Sequence, residues 1–405
     1  SKALLAALLS ALLLGVLTSS ALAGVGSWST TGPQGATIRT IAFDPSNPSR
    51  AWVGVGTRAA QSSGLLFKSL DGGLTWSAAS SGLPDVSIEA IAFDPASPST
   101  VWIGTDGEGI FRSTDGGATW AARSGGLDVP FVRDIAIDPT AASTLYAGTD
   151  QGVYKSTDAG ASWQVVGDGL MLELVINDVA VNPITPAIVY AATAEGIYRS
   201  ANAGVSWTVM ANTDPKNMLS VAIDPVTPTT LYATDDEGNA WRIKQGASWA
   251  TRNNGLGTNP GANFVALDPS NPSIAWLGES GGVFKATDAA GTLTWAAAST
   301  GLPVGTNVGT LAVRAGSQVL IGGDTFGDGL YRTANAGVSW ARSNTGLVAS
   351  DVGAVVVDPS APRATGGAFA GTFFAGVFST VDGAASWTRN QVARYVKILS
   401  LAIDP

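Results

Sequence analysis

Ser113 to Trp120 reads Ser-Thr-Asp-Gly-Gly-Ala-Thr-Trp, and close copies recur at Ser69–Trp76, Ser156–Trp163, Ser200–Trp207, Thr333–Trp340 and Thr380–Trp387. Degraded copies end at Trp249 and Trp295, so eight tryptophans are spaced 42 to 47 residues apart. A fixed period of that length, filled with short apolar runs and turn residues, is the signature of an all-β propeller of four-stranded blades. The spacing is too short for a strand-helix-strand unit, and no helical periodicity is sustained beyond the N-terminus.

Each copy makes sense as a tight hairpin. The carboxylates of Asp71, Asp115, Asp158 and Asp382 can accept neighbouring backbone N–H groups, and in the first three the Gly two residues on (Gly73, Gly117, Gly160) supplies a positive φ. The Trp that follows (Trp76, Trp120, Trp163, Trp207, Trp340, Trp387) carries the burial. At roughly 25 cal/mol per Å² over about 150–250 Å², one indole contributes about 4–6 kcal/mol gross. Asn202 and Asn335 replace the Asp in two copies; an amide keeps the turn-capping oxygen but is no acid or base, which makes the position structural.

These residues resemble the Asp-box, or bacterial-neuraminidase-repeat, proteins, whose pattern is Ser/Thr-x-Asp-x-Gly-x-Thr/Ser-Trp/Phe. The resemblance runs from Trp28 to Pro405. It implies a propeller whose boxes are structural turns, and no single chemistry: sialidases, xyloglucan hydrolases, sortilin-type receptors and photosystem II assembly factors share it. The Arg-Ile-Pro segment of the sialidases is absent, and only Arg39 and Arg133 are plausible rim arginines. The Arg-rich face of the assembly factors is absent too, and the xyloglucan hydrolases usually need a second propeller.

Composition excludes more than it suggests. With no His and no Cys, Ser-His-Asp triads, thiolate nucleophiles, disulfides and paired-His zinc motifs are ruled out. A net charge of −9 without clustered Lys or Arg argues against a nucleic-acid partner. Charged residues are only 13% of the chain, which suits an extracellular β protein.

Residues 1–23 combine a basic start, an apolar run and Ala21-Leu22-Ala23, the pattern of a secretory signal cleaved before Gly24. The run is shorter than the roughly 20 residues a bilayer requires, so no stable anchor is expected after cleavage. Residues 24–405 form the propeller: a lone fourth-strand segment at Trp28, eight full repeats, and a further first strand ending at Asp404-Pro405. About eight blades are expected, with the C-terminal end incomplete. The lone segment suggests closure by a shared blade.

First strands end in Asp-Pro or Asn-Pro, as at Asp44-Pro45 and Asn182-Pro183, because Pro cannot donate to the ladder. Counting back from these turns places Arg39, Glu89, Arg133, Asn177, Leu219, Asn263, Gly309, Gly353 and Leu399 in one ring, with Asp134 and Asp178 just after it. Charge gathers in the first four repeats, on the face that carries the second-to-third-strand loops, whose acids run from Asp106, Glu108, Asp150 and Glu195 through Asp235, Asp236 and Glu237 to Glu279, Asp324 and Asp328. Arg39, Glu89, Arg133, Asp134, Asn177, Asp178, Asp106 and Glu108 are therefore the candidate binding residues of a channel mouth; the bland alternative is that they pair among themselves. Asp235, Asp236 and Glu237 are weak candidates for holding Ca²⁺ through oxygen ligands; no cofactor is expected.

The chain is thus expected to be a secreted or periplasmic, non-catalytic scaffold for a protein or polysaccharide ligand. The alternative is a glycoside hydrolase using two loop carboxylates about 5 to 9.5 Å apart. A hydrolase groove also needs exposed aromatic rings for sugars to stack on, for which Phe131, Phe326 and Phe373 are the candidates.

Overall fold

The computed structural model describes residues 37–47, 49–56, 66–170, 173–244, 247–256, 261–289, 292–314, 318–323 and 330–343, together with four strands within 352–389. Residues 1–23, Trp28, Asp324, Phe326, Asp328, Phe373, Asp382, Trp387 and Leu399, all singled out above, lie outside the described residues.

Every repeat folds into its own four-stranded antiparallel sheet, with strands in sequence order from the axis outwards. In the third repeat these strands are Val132–Ile137, Leu145–Thr149, Gly152–Ser156 and Gln164–Val166. The second strands are buried throughout (Val101–Thr105, Leu145–Thr149 and Val189–Thr193), as strands sandwiched between two neighbouring sheets must be.

Eight sheets form, but the ring closes with seven. The first strand Thr37–Phe43 packs against the strands Val308–Arg314 and Gln318–Gly323 of the seventh sheet, in the way successive blades pack elsewhere. At this seam Gly322 lies directly against Ile38, and the Trp76 indole reaches the Ser343 hydroxyl at 3.4 Å. The eighth sheet (Val352–Val357, Ala368–Thr372, Val377–Thr380, Thr388–Arg389) shows no comparable packing on the ring among the described residues. This corrects the expectation of about eight blades: repeats can be counted in a sequence, whereas closure depends on the angle each wedge of side chains sets between sheets. Among the described residues the closing blade borrows no strand, since all four strands of the seventh lie within 308–342.

The boxes form the expected turn. Asp115 Oδ1 accepts the N–H groups of Ala118 (3.0 Å) and Thr119 (2.9 Å) and the Ser113 hydroxyl (2.7 Å), while Oδ2 accepts the Thr119 hydroxyl at 2.5 Å. Asn202 keeps the Ser206 N–H bond at 2.9 Å and reverses the side-chain bond, its amide donating to the Ser206 hydroxyl at 2.9 Å. The box backbone is tied to the Asp-Pro turn of its own blade, as by Gly116 N–H to the Ser99 carbonyl at 2.9 Å, so both turns share one face.

Three contacts repeat at the seams between blades. The box indole donates back to the preceding blade, as Trp120 does to the Ala79 carbonyl (2.9 Å), Trp163 to Arg123 (2.7 Å) and Trp295 to Arg252 (2.7 Å). The second-strand aromatic slides under the next blade's box glycine, Trp52 under Gly117 and Trp102 under Gly160. A third-strand cation covers that ring and bonds the next box: Lys155 Nζ lies 5.4 Å from the Tyr146 ring centre and 2.8 Å from the Ala203 carbonyl. Lys68 and Lys285 do the same over Trp52 and Trp276. Where the sixth box has an inserted residue, its strands extend as a plain hairpin to Ala289 and Thr292, and Asp288 instead takes Arg242 (2.8 Å) and Lys244 (2.6 Å) from the fifth blade.

Candidate binding mouth of the channel

Each innermost strand of the ring carries a β-bulge at the same place. Register against the second strand slips at Arg39, Glu89, Arg133, Asn177, Leu219, Asn263 and Gly309, one residue per blade. A bulge adds an unpaired residue and re-aims its side chain. Here the seven extra residues line one axial cavity of about 440 Å³, together with Thr40, Asp134, Asp178, Phe264 and Thr310. Counting back from the Asp-Pro turns locates the ring, but the bulge is what turns it inward; nothing in the residue types announces it.

The mouth is charged, and its charges face one another. Arg39 Nε lies 3.7 Å from Glu89 Oε1 across the first seam, and Arg133 pairs closely with Asp150. Beside the axial cavity, Arg39, Glu89, Arg133, Asp106, Asp150 and Phe131 line a smaller cleft of about 190 Å³. Phe131 is 43% exposed there, held by a β-bridge to Asp106. Pro130 accepts the N–H groups of Gly107 (3.3 Å) and Gly109 (2.9 Å), so the loop after one second strand is fastened to the entry of the next blade. Glu108 is not drawn in: it is exposed and lines neither cavity, its N–H bonded to the Thr105 hydroxyl at 3.1 Å.

Deeper in, polar side chains join one innermost strand to the next. Asp134 Oδ2 accepts the N–H of Val179 at 2.9 Å, Asp178 Oδ2 that of Val221 at 2.8 Å, and the Ser220 hydroxyl that of Val265 at 3.2 Å. Asn177 and Asn263 donate across their seams to the carbonyls of Met218 (2.9 Å) and Val308 (3.1 Å). Asp134 and Asp178 are also within hydrogen-bonding reach of each other. Burial raises both carboxyls, Asp178 the further because the charge of Asp134 adds to the loss of water.

The acidic loop of the fifth blade is arranged differently. Asp235 is buried and accepts the Asn239 N–H (2.8 Å) and the Trp241 indole N–H (2.8 Å). Asp236 accepts from Asn217 at 3.0 Å and Glu237 from Lys216 at 2.8 Å. Among the described residues no three such side chains converge as a metal site would require. One acid was not legible as unusual: Glu279 ends the sixth second strand, where Thr105, Thr149 and Thr193 stand in other blades. It is buried, its Oε2 has no hydrogen-bond partner, and loss of water pushes its pKa up to about 7.

No protein-family profile and no curated protein matches the chain. Among solved structures it is similar to an ancestral GH74 enzyme, at 20% identity and a TM-score of 0.72 over 90% of this chain and 55% of that one. The chain therefore spans little more than half the length of that enzyme. The GH74 xyloglucanase from Xanthomonas campestris aligns at 16% identity and TM-score 0.69, over 89% of this chain and 68% of the enzyme. YCF48 bound to D1 peptide aligns at 18% identity and TM-score 0.57, over 75% of this chain and 93% of that one. At such identities these likenesses establish the fold, an all-β propeller with a seven-bladed ring, for the chain described here.

Proposed function

We propose that the chain is an exported, non-catalytic propeller that binds a protein or glycan ligand at its channel mouth. One observation carries the reading: four of the carboxylates that meet at the mouth are engaged. Glu89 faces Arg39, Asp150 faces Arg133, and Asp134 and Asp178 hold backbone N–H groups of the following blade. A glycosidase acid and its partner must be directed at a substrate, whereas a recognition surface is well served by a rigid, internally braced set of charges. That one neighbour is a propeller bound to a peptide is in keeping with this. Export rests on residues 1–23, and N-terminal sequencing of the secreted protein checks it.

A glycoside hydrolase is the second reading, favoured by Phe131, whose exposed ring lies in a cleft with Asp106 and Asp150, and by the two GH74 neighbours. Glycan and peptide arrays probed with residues 24–405 separate the two. The binding reading expects retention of an intact ligand that Phe131→Ala or Arg133→Ala weakens at least tenfold. Release of reducing ends from β-glucans, abolished by Asp106→Asn or Asp150→Asn, would establish the hydrolase instead.

A further inference from the structure

We propose that Asp134 and Asp178 form a one-proton latch in the channel wall, joining the third, fourth and fifth blades while the pair shares a proton and loosening them when it is lost. The geometry is a continuous chain. Val179 of the fourth blade donates to Asp134 of the third, the two carboxyl groups meet, and Val221 of the fifth donates to Asp178 of the fourth. Two carboxylates in contact repel unless one carries a proton to donate to the other. With that proton, the outer oxygen of each group stays free to accept its backbone N–H, and the link spans three blades without a gap.

The surroundings favour this state. The other charged groups of the cavity are Arg39, Glu89 and Arg133; the first two face each other and the third faces Asp150. The remaining innermost strands present Leu219, Asn263, Phe264, Gly309 and Thr310, which carry no charge. Burial raises both carboxyls, and the charge of Asp134 raises Asp178 further, which favours the protonated state of the pair. On its loss the repulsion falls on the two bonds to Val179 and Val221, at the depth where the bulged ring opens into the mouth.

Asp178→Asn separates the proton from the link, because an amide donates to Asp134 and accepts from Val221 without titrating. The full chain is compared with this variant by infrared spectroscopy and by hydrogen exchange of segments 176–181 and 218–223 between about pH 6 and pH 10. With Glu279→Gln as the common background, which silences the other raised carboxyl, the latch predicts a protonated-carboxyl band at neutral pH that Asp178→Asn removes. It also predicts exchange that rises, beyond the intrinsic effect of pH, by at least about tenfold in the wild type and not in the variant. Asp134→Ala should free segment 176–181 at every pH. Absence of the band, or the same alkaline loosening in Asp178→Asn, overturns the proposal.

Discussion

Adding one methyl group to either glycine of the second box distinguishes the cost of a turn from the cost of a seam. Gly116 and Gly117 both have positive φ, +67° and +79°. A Cβ on Gly116 meets nothing within 4 Å, whereas one on Gly117 falls 2.0 Å from the Trp52 ring of the preceding blade. That indole cannot retreat easily: Trp120 and Phe93 pack edge-on at 6.0 and 6.3 Å, and Lys68 covers it at 5.8 Å. Gly116→Ala should therefore cost about 1–2 kcal/mol, the left-handed backbone penalty alone. The chain already tolerates it, since Ala159, Ala203 and Ala336 occupy the equivalent position at φ 55° to 59°. Gly117→Ala adds overpacking of about 1–3 kcal/mol, for a total of about 2–5 kcal/mol. Urea unfolding followed by tryptophan fluorescence measures both, read as midpoint shifts at constant slope. Equal midpoints for the two variants would refute the claim that rings wedged beneath box glycines hold the blades together.

Two pH effects follow from single groups. Glu279 has its folded pKa raised from 4.5 to about 7, so the folded state holds the proton more tightly; the stability this gives is complete below about 4.5 and lost as the pH rises through about 7. The rise corresponds to at most about 3 kcal/mol, reduced by solvent screening to about 1–2 kcal/mol, and Glu279→Gln should abolish that loss; an unchanged pH profile of thermal unfolding would contradict it. In the boxes the sign is opposite. Burial opposes ionisation of Asp71, but bonds from Thr75, Ser69 and Leu74 outweigh it and hold the carboxyl at about 2. Bonds from the Ser162 hydroxyl and N–H and from Ser156 hold Asp158 at about 2 as well, and the Thr119 and Ser113 bonds lower Asp115. Their contribution is present above the ordinary carboxylate range and lost as the pH falls towards about 2. The triple variant Asp71→Asn, Asp115→Asn, Asp158→Asn should unfold less readily in acid relative to its neutral stability, and an identical acid midpoint would count against the turn geometry.

How much of this was legible in the sequence depended on whether a residue's role is local. The box turn is local: Ser113, Asp115, Gly117 and Thr119 satisfy one another within seven residues, so the pattern discloses the shape. The ring of Arg39, Glu89, Arg133 and Asn177 could be placed because the Asp-Pro turns keep step, although the bulges that aim it leave no mark in composition. The blade count could not be read, because it rests on Ile38 meeting Gly322 and on Trp76 meeting Ser343 across more than 260 residues. The pairing of Arg133 with Asp150 and the burial of Glu279 were equally hidden: sequence places acids on loops and does not say which way each loop turns its carboxylate.

The mouth exists as one site only if the seventh blade closes on the first, since this is what puts Arg39 in the same cavity as Phe264 and Thr310. Electron-microscopic class averages of the full chain viewed down the ring axis count the blades directly. Seven lobes around a closed channel, with the eighth repeat outside it, is the predicted image; an eight-lobed ring, or an open arc, would contradict the account.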